Sequence, residues 1–306
     1  MHPLLPLTRR TGFGIFCASV PILSWGISFV VIKTTMAEIP PLTLAFLRFF
    51  FAAFIVWPLV SRARAWRKIA REDRLPLFLL GFFGVTTYFA FENFGLLYTS
   101  ASHGALIIAT IPLCTELYGI IQQRLPIRPM LIAASLTALA GVFILVNSGG
   151  AGSTASTTGD LLIFGAVASW VAYSIYAERL LSRYPHLFIT MMIMVIGAVT
   201  LLPGALLEWA IKPFPFPSLS AWLGVAFLTL FCSVLGYHFW NLALSHLGVA
   251  MTNNFLYVLP LIGVTSGVLF LQEPLTRPMI WGAVLISAES SGRTSPTAGE
   301  RQDDPS

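Results

Sequence analysis

The sequence has few charged residues. Asp, Glu, Lys and Arg make up 10% of its 306 residues, whereas apolar residues make up 56% and the mean hydropathy is +0.80. A soluble domain carries about 25% charged residues because its surface must face water. The composition therefore excludes an ordinary water-soluble protein and indicates a chain that lies largely within a membrane.

Cysteine is also scarce. Cys17, Cys114 and Cys232 lie in separate apolar segments, without the paired spacing of a disulfide framework or a zinc site. We interpret them as small core residues, and we expect neither a metal nor a cofactor.

Motifs of the common enzyme classes are missing. The sequence contains no HExxH, no paired acidic motif and no nucleophile elbow. The segments between the apolar blocks are too short to build a soluble active site. A membrane-embedded enzyme is therefore the least favoured functional class for this chain.

Ten apolar blocks follow one another along the chain. Most are about 17–25 residues long, which is the length of helix that crosses a hydrocarbon core of about 30 Å. We predict an all-α membrane protein whose candidate spans are Gly12–Ile32, Leu42–Val60, Leu75–Tyr98, Ala101–Gln122, Met130–Val146, Leu161–Ala177, Leu187–Leu207, Leu219–Ala243, Val249–Leu271 and Met279–Ala288.

The tenth block is short. It amounts to about 15 Å of helix, which is half the hydrocarbon thickness. The charged residue Glu289 follows it directly, and Arg293 comes soon after. We therefore expect a truncated tenth helix that does not cross as a regular span. Residues 289–306 are interpreted as a polar, disordered tail.

Basic residues are concentrated in alternate connections, which predicts a cytoplasmic N-terminus. The run from Ser61 to Arg74 is interpreted as an anchor on anionic lipid rather than a nucleic-acid site. The opposite side carries only Lys33, Lys212 and Arg277, whereas the cytoplasmic segments carry Arg9, Arg10, Arg62, Arg64, Arg67, Lys68, Arg71, Arg74, Arg124, Arg128, Arg179, Arg183, Arg293 and Arg301.

The second half of the sequence repeats the first. Phe91, Asn93 and Pro112 recur 148 positions later as Phe239, Asn241 and Pro260, and Ser24-Trp25 recurs 145 positions later as Ser169-Trp170. We predict one five-helix repeat in residues 1–147, a flexible external linker in 148–160, and a second repeat in 161–288. An odd number of helices inverts the second repeat, an arrangement that favours transport.

The repeated Ser-Trp, Asn and Pro positions, together with the turn from Gln272 to Thr276, resemble the EamA-type branch of the drug/metabolite transporter superfamily. The resemblance implies a ten-helix bundle in the bacterial cytoplasmic membrane, with cytoplasmic termini and a central cavity. It also implies export of small metabolites such as amino acids. One departure is Arg124, which stands where the second repeat has Glu273.

The sequence leaves alternatives open. A passive channel or facilitator would share all of these features. The partners that we expect are a small-molecule substrate and the lipid bilayer, with no nucleic acid. Proton coupling is one alternative for energising transport, and the chain is expected to be a monomer or a weak homo-oligomer.

Arg48 and Glu92 are charges within predicted spans. Each lies about 9 Å from the external end of its helix, so the two side chains are at similar depth. A charge in hydrocarbon is costly unless it is paired, buried or hydrated. The pair is therefore interpreted either as a structural ion pair or as a functional site, in which Arg48 holds a substrate carboxylate or Glu92 exchanges a proton.

Trp25 and Trp170 occupy equivalent repeat positions near mid-membrane, where tryptophan is unusual. They are expected to form a cavity wall or to pack, and Tyr173 shares the face of Trp170. Pro112 and Pro260 are candidate hinges, and Gly263-x-x-x-Gly267 is expected to bring the fourth and ninth helices together. The remaining cavity candidates are Tyr88, Asn93, Trp240, Asn241, Asn253, Asn254 and Tyr257.

Overall fold

The computed structural model describes residues 7–123, 156–211 and 215–277, together with 280, 281 and 284, and within them the chain is helical and contains no strand. In this described part of the chain, eight helices are long and apolar enough to cross a membrane. They are α1 Leu7–Thr35, α2 Pro41–Arg62, α3 Arg71–Tyr98, α4 Ala101–Ile121, α5 Thr157–Leu181, α6 His186–Ile211, α7 Leu219–Leu247 and α8 Val249–Leu271. The chain is a multi-pass membrane protein.

These helices correspond to the first four predicted blocks and to the sixth through ninth. Met130–Val146 lies outside the described residues, as do most of Met279–Ala288 and all of the tail 289–306. The all-helical prediction is confirmed for the part of the chain that is described. The tenth span and its truncation stay a prediction.

The helix after the predicted linker begins earlier than the sequence indicated. α5 begins at Thr157, so residues 157–160 are helical rather than part of a flexible segment. The Ser156 hydroxyl accepts a hydrogen bond from the Gly159 N–H at 3.2 Å and caps the helix, and the Asp160 carboxylate lies in its first turn. Both features stabilise a helix N-terminus.

Helices α1 to α4 and α5 to α8 pack as corresponding sets. α1 packs against α7, and its counterpart α5 packs against α3. α1 also contacts α8, and α5 contacts α4, while α2 packs against its own counterpart α6. Within the described residues, these contacts between the halves therefore occur in repeat-related pairs.

One end of the bundle, which we call the basic face, carries the α2–α3 connection and the α5–α6 turn. Asp73 is buried there and accepts hydrogen bonds from Arg179 at 3.1 Å, from Arg183 at 3.1 Å and from the Tyr184 hydroxyl at 3.0 Å. Glu72 also pairs with Arg183 at 2.7 Å. These bonds join the start of α3 to the end of α5.

At the other end, the opposite face, carboxylates from one half cap helices of the other half. Glu208 accepts hydrogen bonds from the Leu42 and Thr43 N–H groups of α2, and Glu273 accepts them from Ala101 and Ser102 of α4, all between 2.8 and 3.0 Å. The first N–H groups of a helix have no partner within the helix and lie at the positive end of its dipole. The carboxylates satisfy both requirements.

Two further contacts fasten the opposite face. Glu38 accepts hydrogen bonds from the Ser218 hydroxyl and N–H, both at 2.7 Å, and these bonds hold the pKa of the Glu38 carboxyl below its usual value. Lys33 donates to the Thr99 carbonyl at 2.5 Å, and the Thr99 hydroxyl donates to Asp160 at 2.5 Å. The ends of α1, α3, α5 and α7 are thereby connected.

Four helices depart from regular α geometry, again in repeat-related pairs. α3 contains a π-helical segment at Phe82–Thr87, and α7 contains one at Leu228–Leu235. α4 is interrupted between Ile108 and Ile111, and α8 passes through a 3₁₀ segment at Phe255–Val258. Pro112 and Pro260 lie in the first turn after each break, where a missing N–H is tolerated.

Glycine allows α8 to approach α4 closely. A methyl group added at Gly263 would overlap the Ala105 side chain, and one added at Gly267 would lie 2.6 Å from the Ser102 hydroxyl. Asn253 of α8 also donates to the Thr115 hydroxyl of α4 at 3.0 Å. The predicted contact between the two helices is confirmed.

The Gly263→Ala variant should lower the free energy of unfolding by about 1–3 kcal/mol, because the added methyl overpacks the contact between α8 and α4. Gly12→Ala is the matched control, since nothing lies within 4 Å of the added carbon. Both changes raise helix propensity equally, so the difference between the two variants in free energy of unfolding reports the effect of packing. SDS titration of the purified protein in mild detergent measures it, and equal stability of the two variants would contradict the prediction.

Candidate functional site

A cavity of about 30 Å³ lies at the centre of the bundle. It is large enough for about one water molecule. Residues from both halves line it, and five of the predicted site residues are among them. The lining residues are Trp25, Ser28, Phe29, Arg48, Tyr88, Phe89, Glu92, Ile108, Ile111, Trp170, Tyr237, Leu256 and Leu259.

Aromatic rings form one wall. The rings of Trp25 and Trp170 meet edge to face with centroids 5.3 Å apart, and Tyr88 packs against Trp170 at 5.1 Å. The Trp25 indole N–H donates to the Cys232 carbonyl at 2.9 Å, whereas the buried Trp170 indole N–H has no hydrogen-bond partner among the described residues. The repeat-equivalent tryptophans therefore both line the cavity and pack against each other.

Arg48 brings a buried cation to the cavity, with 2% of its surface exposed. Its Nε donates to the Ser233 hydroxyl at 3.0 Å, and its guanidinium lies over the Phe89 ring at 4.4 Å and the Phe49 ring at 5.1 Å. Cation–π contacts offset part of the cost of removing the charge from water. Within the described residues, no hydrogen bond occupies its two terminal nitrogens.

Glu92 lines the same cavity but does not pair with Arg48. Its Oε1 accepts a hydrogen bond from the Tyr88 hydroxyl at 3.0 Å, and its buried Oε2 has no partner among the described residues. The direct ion pair considered from the sequence is not formed, because Ser233 and Phe89 hold the guanidinium while Tyr88 holds the carboxylate. The two side chains line one cavity without forming a direct ion pair.

Several predicted cavity residues instead connect helices. Asn93 donates to the Pro41 carbonyl at 2.8 Å and so joins α3 to α2. Tyr173 donates to the Asn241 side chain at 2.7 Å, and Asn241 donates to Thr190 at 3.1 Å, which joins α5, α7 and α6. A buried amide is costly without partners. Neighbouring helices supply them for both ends of Asn241 and for the Asn93 nitrogen, whereas the buried Asn93 Oδ1 has none among the described residues.

The other candidates surround the cavity without lining it. Trp240 is fully buried and packs behind Trp25 with ring centroids 5.1 Å apart. Asn253 is engaged with α4, Asn254 is half-buried at the end of the first segment of α8, and Tyr257 is buried in the 3₁₀ segment. The side chains that α8 contributes to the cavity are the apolar Leu256, which lies in this segment, and Leu259, which follows it.

The sequence interpretation missed Ser28, Tyr237 and Ser233. Ser28 follows Trp25 by three positions and Tyr237 precedes Trp240 by three, so each shares a helical face with a predicted site residue and had a signal. Ser233 had none, because its partner Arg48 is 185 positions away.

The helix interruptions border the cavity. Ile108 and Ile111 flank the break in α4, and Leu256 and Leu259 lie at and beside the 3₁₀ segment of α8. The proline hinge candidates, Pro112 and Pro260, lie immediately beyond these residues. Broken helices that meet near the middle of a membrane are typical of transporter binding sites.

The Ser233→Ala variant should destabilise the protein by about 1.5–3 kcal/mol, because it removes the hydrogen bond to a buried guanidinium. Ser174→Ala is the control, since Ser174 is equally buried but bonds only to the Trp170 carbonyl of its own helix at 2.9 Å. SDS titration in detergent compares them. A Ser174 variant as unstable as the Ser233 variant would show that loss of any buried hydroxyl suffices.

Comparison with known proteins identifies the architecture. Residues 12–147 and 157–288 match the model of the EamA-like transporter family. The chain is 29% identical over 246 residues to an "Uncharacterized transporter" of Archaeoglobus fulgidus, covering 79% of this chain and 84% of that one.

Two further similarities cover nearly the full length. A "Probable amino-acid metabolite efflux pump" of Salmonella typhimurium is 27% identical over 297 residues, covering 92% of this chain and 94% of the relative. One solved crystal structure aligns with a TM-score of 0.68 at 20% identity, covering 94% of this chain and 96% of that chain. The structural similarity concerns the fold alone.

Proposed function

The chain belongs to the EamA-like transporter family, and from this premise we propose that it exports small amphipathic metabolites, amino acids among them, by alternating access. The observation that carries the proposal is the placement of Arg48 and Glu92, unpaired with each other, in one aromatic cavity between the two halves. The names of similar proteins support export of amino-acid metabolites.

The lining offers complementary groups for a zwitterion. The Arg48 guanidinium can bind a carboxylate, and the Glu92 carboxylate can accept hydrogen bonds from an ammonium group. The rings of Trp25 and Trp170 suit an apolar side chain or a cation, and the Trp170 N–H is a further donor. An uncharged apolar solute would leave both charges without partners.

The cavity must widen for transport. Its volume of about 30 Å³ lies far below the several hundred cubic ångströms of a typical ligand pocket. The breaks in α4 and α8 border the cavity, and we infer that the segments beyond Pro112 and Pro260 swing there. The structure therefore corresponds to a closed conformation of the transport cycle.

The paired contacts between the halves support alternating access. We propose two inverted five-helix repeats, ten helices in all, in a bacterial cytoplasmic membrane with the basic face inside. The carboxylate caps of Glu208 and Glu273 would then close the external side. Opening outward requires these contacts between halves to loosen.

Proton exchange is the coupling that the cavity favours. Glu92 has one buried oxygen without a partner among the described residues, and Tyr88 already bonds the other. A proton bound there and a substrate ammonium would compete for the same carboxylate. Such competition would couple the export of substrate to the entry of a proton.

Replacing Trp25 or Trp170 with Ala should reduce transport about two- to tenfold at low solute concentration, because each ring loses its stacking contact with the solute. Trp57→Ala is the control, since Trp57 is 52% exposed and remote from the cavity lining. Efflux of a panel of the standard amino acids from cells is normalised to protein abundance. Equal loss of transport and abundance would identify both tryptophans as packing residues only.

An Arg48→Gln variant should weaken transport of a recognised amino acid about tenfold or more while affecting its methyl ester much less, because the ester has no carboxylate to bind. Uptake into proteoliposomes containing the purified variant and wild type provides the comparison. Ser233→Ala serves as the reference variant, because it retains the Arg48 guanidinium but removes the hydroxyl that holds it. If acid and ester are affected equally, Arg48 does not bind the carboxylate.

A further inference from the structure

A second recess, of about 480 Å³, lies toward the basic face between α2, α6 and α7, and we call it the lateral groove. Its apolar lining consists of Val56, Leu59, Ala63, Leu187, Val234 and Leu235. None of these residues lines the central cavity. Leu59 and Leu235 are 39% and 38% exposed, so the groove opens to the outside of the bundle, where the membrane lies.

The groove lies near the membrane–water interface. Trp57 and Trp66 flank the end of α2 with ring centroids 4.9 Å apart, and both are exposed. Exposed tryptophan is enriched at the level of lipid headgroups. The apolar walls therefore extend from headgroup depth toward the hydrocarbon.

Polar groups occur only at two places in the lining. Arg62, the last residue of α2, is exposed and makes no hydrogen bond or ion pair within the described part of the chain. The other is His238, whose buried Nδ1 has no hydrogen-bond partner there either. Arg64 and Arg67 follow Arg62 on the basic face and are exposed, but they do not line the groove, so Arg62 is the cation at its mouth.

We propose that the lateral groove binds one anionic phospholipid, with an acyl chain along the apolar walls and the phosphate on Arg62. Hydrated solutes are excluded because the walls cannot satisfy them. An arginine binds phosphate through paired N–H donors, and basic residues at a membrane surface attract anionic lipid. His238 can hydrogen-bond the ester or glycerol oxygens between headgroup and chain.

The bound lipid would contact the segment that positions Arg48. Val234 and Leu235 line the lateral groove, while the preceding residue, Ser233, holds the Arg48 guanidinium in the central cavity. All three belong to the π-helical segment of α7. The lipid also lies between α2 of one half and α6 and α7 of the other, so its binding stabilises this junction.

Native mass spectrometry of the delipidated full-length protein tests the site. Phosphatidylglycerol should be retained in preference to phosphatidylcholine with the same chains and should raise the melting temperature. Arg62→Gln should weaken its binding about fivefold, the effect of one basic residue at a membrane surface. Arg64→Gln is the matched control, because Arg64 is exposed on the same face but does not line the groove.

A second variant tests the chain-binding walls. Ala63→Trp should fill the groove and reduce phosphatidylglycerol binding although Arg62 is still present. Glycerophosphoglycerol, the same headgroup without chains, should not compete. Equal retention of the two lipids, equal losses in the Arg62 and Arg64 variants, unchanged binding in the Ala63 variant, or effective competition by the chain-free headgroup would each overturn the proposal.

Discussion

The structure depends on one constraint, namely that hydrocarbon offers no hydrogen-bond partner to a backbone N–H or carbonyl group. Every departure from a regular helix must therefore be compensated by the protein itself. The N-termini of α2 and α4 show how this is done, because Glu208 of α6 and Glu273, just beyond the end of α8, accept hydrogen bonds from their free N–H groups. The same bonds that complete the helices hold the two halves together at the opposite face.

Within this framework the irregular segments are concentrated around the cavity. The π segments of α3 and α7 and the breaks of α4 and α8 occur in repeat-related pairs, and residues at or beside each of them line the cavity. Irregular backbone at membrane depth is tolerated where protein or a cavity surrounds it. The features that make these helices locally weaker are therefore also the ones that allow a site between the halves.

The buried charged side chains must likewise find their partners within the protein. Arg48 is held by one hydroxyl and two aromatic rings, and Glu92 by one phenol. Neither arrangement satisfies the charged group completely, which distinguishes them from Asp73, whose carboxylate has three partners at the basic face. The π segment of α7 connects the cavity to the lateral groove, since Ser233 binds the Arg48 side chain that lines the cavity while Val234 and Leu235 line the groove.

The sequence by itself determined the membrane class, the positions of the described helices and the duplication. Span length and basic connections are imposed by the bilayer, which acts on each segment independently of the rest of the fold. Repeat equivalence also singled out Trp25 and Trp170, whose rings meet in the structure.

Only the tertiary structure decided which polar side chains face that cavity. Asn93, Asn241 and Asn253 looked like site residues but bind neighbouring helices, and Arg48 is held by Ser233, 185 positions away, rather than by Glu92. Depth along a helix can be counted from the sequence. The rotation of each helix about its axis cannot, because it is set by packing against helices distant in the chain.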